Sequence, residues 1–254
     1  MRLDGSARVA GGLARGLYSC VFWLFLVGSS IALFPAALLI WALTTPFDRR
    51  KRVLHLFTCF WASLYTWLNP AWTVTLEGRE KLRSDRAAVL VANHLSLLDI
   101  LVLFRTFTHF KWVSKIENFR LPFVGWNMSL NGYIKIRRGN RASVVQMMRA
   151  CEATLAAGNS IMMFPEGTRS LTGLMRAFKP GAFELALCTK TPIQPILLRG
   201  SGDALPKRGF VLQGHYPIRV TVLDPIAPES FAGLSVNELT DRVRTLMAKE
   251  LGQA

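Results

Sequence analysis

Acidic residues are scarce in this chain. Sixteen Asp and Glu stand against 31 Lys and Arg, for a formal charge of +15 over 254 residues. That balance favours an anionic partner: nucleic acid, an acidic lipid surface or a phosphorylated substrate. Charge alone does not choose among them. Cysteine is equally sparse. Cys20, Cys59, Cys151 and Cys188 show no CxxC or zinc-like spacing and sit within apolar patterns, as small buried hydrophobes do. No disulfide framework is indicated, which fits a catalytic face in the cytosol. The four histidines form no HExxH arrangement, so no protein-bound metal is expected. The chain also lacks internal repeats, low-complexity linkers and a G-x-S-x-G nucleophile elbow.

What the chain has in quantity is apolar sequence. Hydrophobic residues make up 51% and mean hydropathy is +0.28, high for a soluble protein. After a segment bearing Arg2, Arg8 and Arg15, residues 16–47 contain no charged side chain. That run exceeds the about 20 helical residues needed to cross a hydrocarbon core of roughly 30 Å. A cleavable signal peptide would have a shorter apolar core ending in small residues, so a retained segment is expected. The sequence Asp48-Arg49-Arg50-Lys51-Arg52 follows, then a stretch at 53–76 free of acids, Lys and Arg. Within it Phe57, Phe60, Trp61, Leu64, Tyr65 and Leu68 form a largely aromatic helical stripe, flanked by Trp67. Such rings either pack on the first helix or favour the headgroup zone.

Basic clusters on both sides of the first segment disfavour a single crossing, which would send one of them to the wrong side. Pro35 and Gly28-Ser29-Ser30 can bend the helix. The expectation is an N-terminal membrane-embedded helical hairpin over residues 1–71. It would dip into one leaflet of the inner membrane from the cytoplasmic side, as a re-entrant hairpin and not two full spans.

From residue 72 the character changes. Strands are expected at 72–76, 87–92, 110–114, 133–136, 160–164, 193–198 and 217–223. Helices are expected at 97–107, 141–157 and 181–189, with a mostly helical connection at 115–131 broken by Pro122 and Gly125. A last helix opens with the capping box Ser235 to Glu238 and runs to about residue 251. Alternating strands and helices define an α/β domain over 72–254, a mostly parallel sheet flanked by helices, with function at the carboxyl ends of the strands.

Two stretches carry chemistry. In AAVLVANHLSLLD, residues 87–92 read as a buried strand, with Asn93 and His94 at its end. Ser96 and Asp99 have the spacing of an N-cap and its N3 acid. Helical side chains lean toward the N-terminus, so the Asp99 carboxylate is expected to point back at His94. Two readings stay open on this stretch alone: His94 as a general base oriented by Asp99, or a structural histidine beside an acid that complements the helix dipole. In the second stretch a strand runs into Phe164-Pro165-Glu166-Gly167-Thr168-Arg169-Ser170. Arg169 offers a guanidinium fork, and amides around Gly167 add partial positive charge, a combination suited to a phosphate. A turn with a solvated arginine is the plainer alternative.

Together, Asn93-His94-x4-Asp99 and Phe164-Pro165-Glu166-Gly167-Thr168-Arg169 resemble the 1-acyl-sn-glycerol-3-phosphate acyltransferases and their glycerolipid acyltransferase relatives. Two weaker blocks agree in order: Lys115-x6-Pro122-x2-Gly125-x6-Gly132-x-Ile134-x-Ile136-x-Arg138, and Pro195-Ile196 after Phe178-Lys179-Pro180-Gly181. The resemblance covers residues 72–225. It implies acyl transfer from acyl-CoA or acyl carrier protein, with no cofactor, to the hydroxyl of lysophosphatidate, giving phosphatidic acid. His94 and Asp99 would be catalytic; Lys115, Arg138, Glu166, Gly167, Thr168 and Arg169 would bind substrate; Asn93 and Ser96 would support the catalytic loop. One departure stands out. Lys135 and Arg137 fall where the family often has a large apolar residue and an acid, which leaves another acceptor, such as a lyso-ornithine lipid or a different lysophospholipid, in play. Two readings from other classes are a non-catalytic membrane-docking protein and a basic nucleic-acid-binding protein. The globular part lacks the basic-aromatic interleaving of the latter.

Overall fold

The computed structural model describes residues 5–253 apart from 84 and 208, with side chains from Gly12 onward. Arg2 and Arg8 therefore lie outside the described side chains. The chain opens with two helices, α1 (Gly5–Thr44) and α2 (Arg52–Trp67). There follow β1 (Trp72–Glu77), β2 (Val89–Ala92), α3 (Leu98–Phe104), β3 (Phe110–Lys115), α4 (Val124–Leu130), β4 (Ile134–Ile136) and α5 (Arg141–Ala156). The remainder comprises β5 (Ser160–Met163), α6 (Gly181–Thr189), β6 (Ile193–Arg199), α7 (Ser201–Ala204), β7 (Tyr216–Val222) and α8 (Val236–Leu251).

The strands form one sheet in the order β1-β7-β6-β2-β5-β3-β4. The five from β6 to β4 are parallel, whereas β7 is antiparallel to β6 and carries the parallel β1 with it. The mostly parallel α/β fold expected from the sequence is thus present, with a reversed pair of strands at one edge. A loop with the short α7 joins β6 to β7, where a parallel pairing would require a full crossover.

Strand alternation divides the interior in two. Leu90, Ala92, Met162, Ile196 and Leu198 point into a core shared with α1, α2 and α3. Val89, Val91, Ile161, Met163 and Leu197 point into another with α5, α6 and α8. Covering on both faces explains why β2 and β5 read as continuous apolar runs without alternation.

Several boundaries moved for identifiable reasons. The helix expected at 97–107 ends at Phe104, where the chain turns through Phe107 with φ 50°. The 115–131 connection divides around Pro122 into a short 3-10 turn (Ile116–Arg120) and α4. Gly125 is required there, because a Cβ would fall 2.5 Å from the Asn118 carbonyl oxygen. Ser235 and Glu238 form the expected capping box at α8.

α1 runs as a single helix through Pro35. Its residues Tyr18, Phe22, Leu26, Leu33, Ala37 and Trp41, spaced at four or seven, lie against the first core. Ser29 Oγ meets the Tyr65 hydroxyl of α2 at 2.9 Å, so the Gly28-Ser29-Ser30 group serves as a contact between the helices. On α2, Leu54, Cys59, Trp61 and Tyr65 are buried in the same core as the sheet, which places part of the aromatic stripe inside the domain. The opposite side of α1 leaves Leu17, Leu24, Ile31 and Leu39 exposed.

Candidate active site

Asn93 follows β2 directly, and its carboxamide extends the sheet by one side chain. Nδ2 donates to the Leu198 carbonyl at 2.9 Å, and the Leu198 N–H donates to Oδ1 at 2.8 Å. This two-point contact with β6 fixes where the chain leaves the sheet. His94 comes next. Its N–H donates to Glu166 Oε1 at 2.8 Å, and its carbonyl accepts from the Ser170 N–H at 2.8 Å. The two stretches distinguished in the sequence are therefore joined through backbone at one histidine.

The imidazole is oriented by two contacts. Its ring stacks on Phe164, with centroids 3.9 Å apart and planes at 10°, and Phe164 in turn stacks on Trp112. Nδ1 lies 2.8 Å from Asp99 Oδ2. Asp99 is fully buried, and the same oxygen accepts the N–H groups of Leu95 (2.6 Å) and Ser96 (2.8 Å). The other oxygen accepts the Ser201 hydroxyl. Four donors thus converge on the two carboxyl oxygens. Among the described residues nothing in the protein bonds Nε2, which faces away from Asp99.

The backward reach of Asp99 from α3 is as expected, but Ser96 serves a different purpose. α3 begins after Leu97, so Ser96 is not its N-cap residue. The Ser96 hydroxyl accepts the Leu98 N–H at 3.2 Å and donates to the Leu205 carbonyl at 2.6 Å. Only the acid half of the expected capping box exists, in the Ser96 N–H to Asp99 bond. The serine side chain instead ties the His94 loop to the segment after α7.

Glu166 is buried, with one oxygen on the His94 N–H and the other on the Arg176 N–H at 2.9 Å. Burial pushes its carboxyl above the ordinary range, the two N–H donors pull it partly back, and the nearby Asp99 charge pushes it up again. Both oxygens are spent on backbone, so Glu166 acts as a strut between two loops. Gly167 adopts φ 69°, and a Cβ there would fall 2.8 Å from Lys179 Cε. Lys179 accordingly overlies the Gly167-Thr168-Arg169 turn and adds a cation to it. Thr168 and Arg169 are half-exposed on the same turn, with the Arg169 carbonyl accepting from Lys207 Nζ at 2.6 Å.

Lys115 and Arg138 reach the same sheet edge from other strands. Lys115 ends β3, opposite Ile136 of β4, and pairs with Glu117 at 3.5 Å; Arg138 is exposed two residues past β4. Neither bonds to the His94–Asp99 pair. Of the departures at β4, Lys135 lies over the Phe119 ring at 5.0 Å and Arg137 is exposed. Sequence reasoning missed Ser201 and Lys179 as site residues. Ser201 is a lone serine 102 positions from Asp99, with no local signal. Lys179 sits in the Phe178-Lys179-Pro180-Gly181 block and was legible only as part of that block.

An imidazole backed by a buried carboxylate, with its second nitrogen open, is a general-base arrangement. At the carboxyl edge of the parallel strands, where open α/β folds hold their ligands, it marks the candidate active site of an α/β enzyme. Comparison with known proteins narrows this class. The Acyltransferase family profile matches residues 73–199. A protein of Chlamydomonas reinhardtii named 1-acyl-sn-glycerol-3-phosphate acyltransferase is 36% identical over 233 residues, covering 90% of this chain and 67% of that relative. A chloroplastic Arabidopsis thaliana protein of the same name is 34% identical over 243 residues, covering 93% of this chain and 64% of its own. The chain thus spans about two-thirds of the length of these curated relatives. The crystal structure of the 1-acyl-sn-glycerophosphate acyltransferase PlsC from Thermotoga maritima shares the fold. Its TM-score is 0.76 at 22% identity, with 94% of this chain and 97% of that one covered. This chain belongs to the Acyltransferase family.

Proposed function

We propose that the protein transfers a fatty acyl group from a thioester, acyl-CoA or acyl carrier protein, to the free hydroxyl of 1-acyl-sn-glycerol-3-phosphate, giving phosphatidic acid in phospholipid synthesis. The names of its relatives support the acceptor. The observation that carries the chemistry is the His94 Nδ1 to Asp99 Oδ2 contact of 2.8 Å, which leaves Nε2 facing outward.

In this reading Nε2 takes the proton of the acceptor hydroxyl as its oxygen attacks the thioester carbonyl. Asp99 holds the Nδ1–H tautomer and stabilises the imidazolium. The tetrahedral intermediate collapses by breaking the C–S bond, and the imidazolium returns its proton to the departing thiolate. No acyl-enzyme is required. The hydroxyls of Ser96 and Ser201 are engaged with Leu205 and Asp99, which speaks against either as nucleophile. Arg169 with Lys179, and Lys115 with Arg138 further along the edge, supply positive charge for the acceptor phosphate.

The membrane reading follows from α1. Its inner side is held to the domain from Ser19, which accepts the Leu212 N–H, to Trp41. A helix fastened alongside a globular domain over that length would drag the domain into the bilayer if it crossed. An oblique or in-plane seat in the cytoplasmic leaflet of the inner membrane, with the outer side of α1 in lipid, avoids this. A lipid acceptor can then enter laterally, whereas extraction into water would cost about 0.8 kcal/mol per CH₂.

Detergent-solubilised protein assayed with lysophosphatidate and other lyso-lipids, each with both donors, tests the assignment. Turnover is expected with lysophosphatidate and to be nearly abolished in a folded His94→Ala variant. Full activity of that variant, or ping-pong kinetics, would overturn the mechanism. A reporter fused at Asp48 is expected on the cytoplasmic side; a periplasmic signal would exclude the re-entrant topology.

A further inference from the structure

Charge is spread unevenly over the domain. Between Glu117 and Glu152 the chain carries Arg120, Lys135, Arg137, Arg138, Arg141 and Arg149, and no acid. All six are exposed, and among the described residues none forms an ion pair with a carboxylate. α8, on the same face of the sheet as α5, is balanced by contrast. It sets Glu238, Asp241 and Glu250 against Arg242, Arg244 and Lys249.

The unbalanced segment is held stiffly. In the turn from β4 into α5, the Asn140 N–H donates to the Arg137 carbonyl at 3.3 Å and the Arg137 N–H to Ser143 Oγ at 2.9 Å. The Ser143 N–H closes the turn on Asn140 Oδ1 at 2.9 Å. Along α5, Arg141, Val145 and Arg149 recur every four residues and so share one face. Val144 stands beside them, and the two valines are 39% and 46% exposed. Met147, Cys151 and Leu155 turn inward, into the core shared with α6 and α8. The outer face of α5 therefore points away from α1 and α2, which cover the other side of the sheet. Its first turn follows the carboxyl end of β4, on the edge that carries His94. From β2 through β5 and β3 to β4 is three strand spacings, about 15 Å along that edge.

From Arg141 to Arg149 the stripe is about 12 Å long. Spread cations flanking exposed valines present more surface than a single phosphate covers. The segment 134–157 has no aromatic ring on which a nucleobase would stack. An acidic protein surface with a few apolar side chains is the complement. We propose that this face of β4 and α5 docks an acidic acyl carrier protein. The acyl thioester on the carrier's flexible prosthetic arm then reaches His94 along the carboxyl edge. The proposal rests on the acyltransferase reading and selects the carrier protein from its two donors.

The test variant is Arg141→Glu with Arg149→Glu in the full, detergent-solubilised chain. An acid in the first turn of α5 suits the helix dipole, so the fold is expected to persist. With lysophosphatidate as acceptor, the KM for acyl carrier protein is expected to rise by about tenfold, with kcat and the KM for acyl-CoA within about twofold of the parent. The gap between parent and variant should narrow at high salt. An equal rise with both donors would overturn the proposal. Fluorescence anisotropy of labelled holo carrier protein reads docking without turnover, so its failure is distinct from failure of the acyl-transfer assignment. Binding by the parent, weakened about tenfold in the variant, is expected. Equal affinities, or no binding by the parent, would refute docking even in an active enzyme. Flotation with phosphatidylcholine–phosphatidylglycerol vesicles should be the same for both proteins. Its loss in a variant that keeps its carrier affinity would assign the face to anionic lipid instead.

Discussion

Replacing Asp99 by asparagine separates the charge of the dyad from its shape. Oδ2 accepts His94 Nδ1–H and the N–H groups of Leu95 and Ser96, while Oδ1 accepts the Ser201 hydroxyl. The two backbone donors are fixed, so they select which end of an amide faces them: the carbonyl takes the Oδ2 position. The amide nitrogen then faces Ser201, whose hydroxyl can rotate and accept. Every hydrogen bond has a substitute, and only the charge disappears. At 2.8 Å a full pair attracts by at most about 6 kcal/mol at an effective dielectric of 20. Competing hydration reduces that, and a positioned base contributes roughly 10²–10⁴-fold. The expected result is a fall of kcat by about 10²–10⁴-fold, with thermal unfolding moved by no more than about 4 °C and both KM values nearly unchanged. Thiol release from the acyl donor measures the rate, and a detergent-compatible melt measures the fold. Asp99→Ala is the control: it strands four donors in a buried loop and is expected to unfold much earlier. Activity of the asparagine variant within about tenfold of the parent would refute the charge-stabilisation argument.

Ser201→Ala removes one donor from a buried carboxylate and is expected to cost about 2 kcal/mol, with a lower kcat and unchanged KM. Ser201→Thr keeps the hydroxyl and should restore the rate; equal defects in both variants would make the residue a packing element only. Gly167→Ala is expected to cost about 1–2 kcal/mol for its left-handed backbone and to displace Lys179, raising the acceptor KM more than the donor KM in steady-state kinetics. Lys111 is buried and donates to the carbonyls of Arg50 and Asn131, and burial lowers its ammonium to about 7. The unfolded chain then binds the extra proton from about pH 7 up to the usual lysine range, so stability rises with pH across that window. Melts from pH 7 to 10 should show this slope in the parent and lose it in Lys111→Met.

Local sequence carried much of the fold and the core of the site. The spacing from His94 to Asp99 and the lean of helical side chains were enough to place the carboxylate behind the imidazole. Strand runs such as Val89–Ala92 were legible because burial on both faces leaves no polar position. What local sequence does not encode is which strands become neighbours. The contact of Asn93 with Leu198 and that of Asp99 with Ser201 each depend on β6 lying beside β2, a pairing no periodicity specifies. The reversal of β1 and β7 was hidden for the same reason. The aromatic stripe of α2 was ambiguous because rings suited to a headgroup layer also suit a core, and Trp61 and Tyr65 are in the core.

The reversed edge strand has a consequence for how the protein is made. β1 follows directly on the two apolar helices, yet its partner is β7: Trp72 pairs with Tyr216, 144 positions later. At about 5–20 residues per second, a ribosome needs about 7–30 s to supply that partner. For that interval β1 has no paired strand to anchor it, and the newly made α1 and α2 have at most the strands from β2 to β6 to cover their inner sides. Lipid or a chaperone would shelter their remaining apolar surface before the α/β domain is complete.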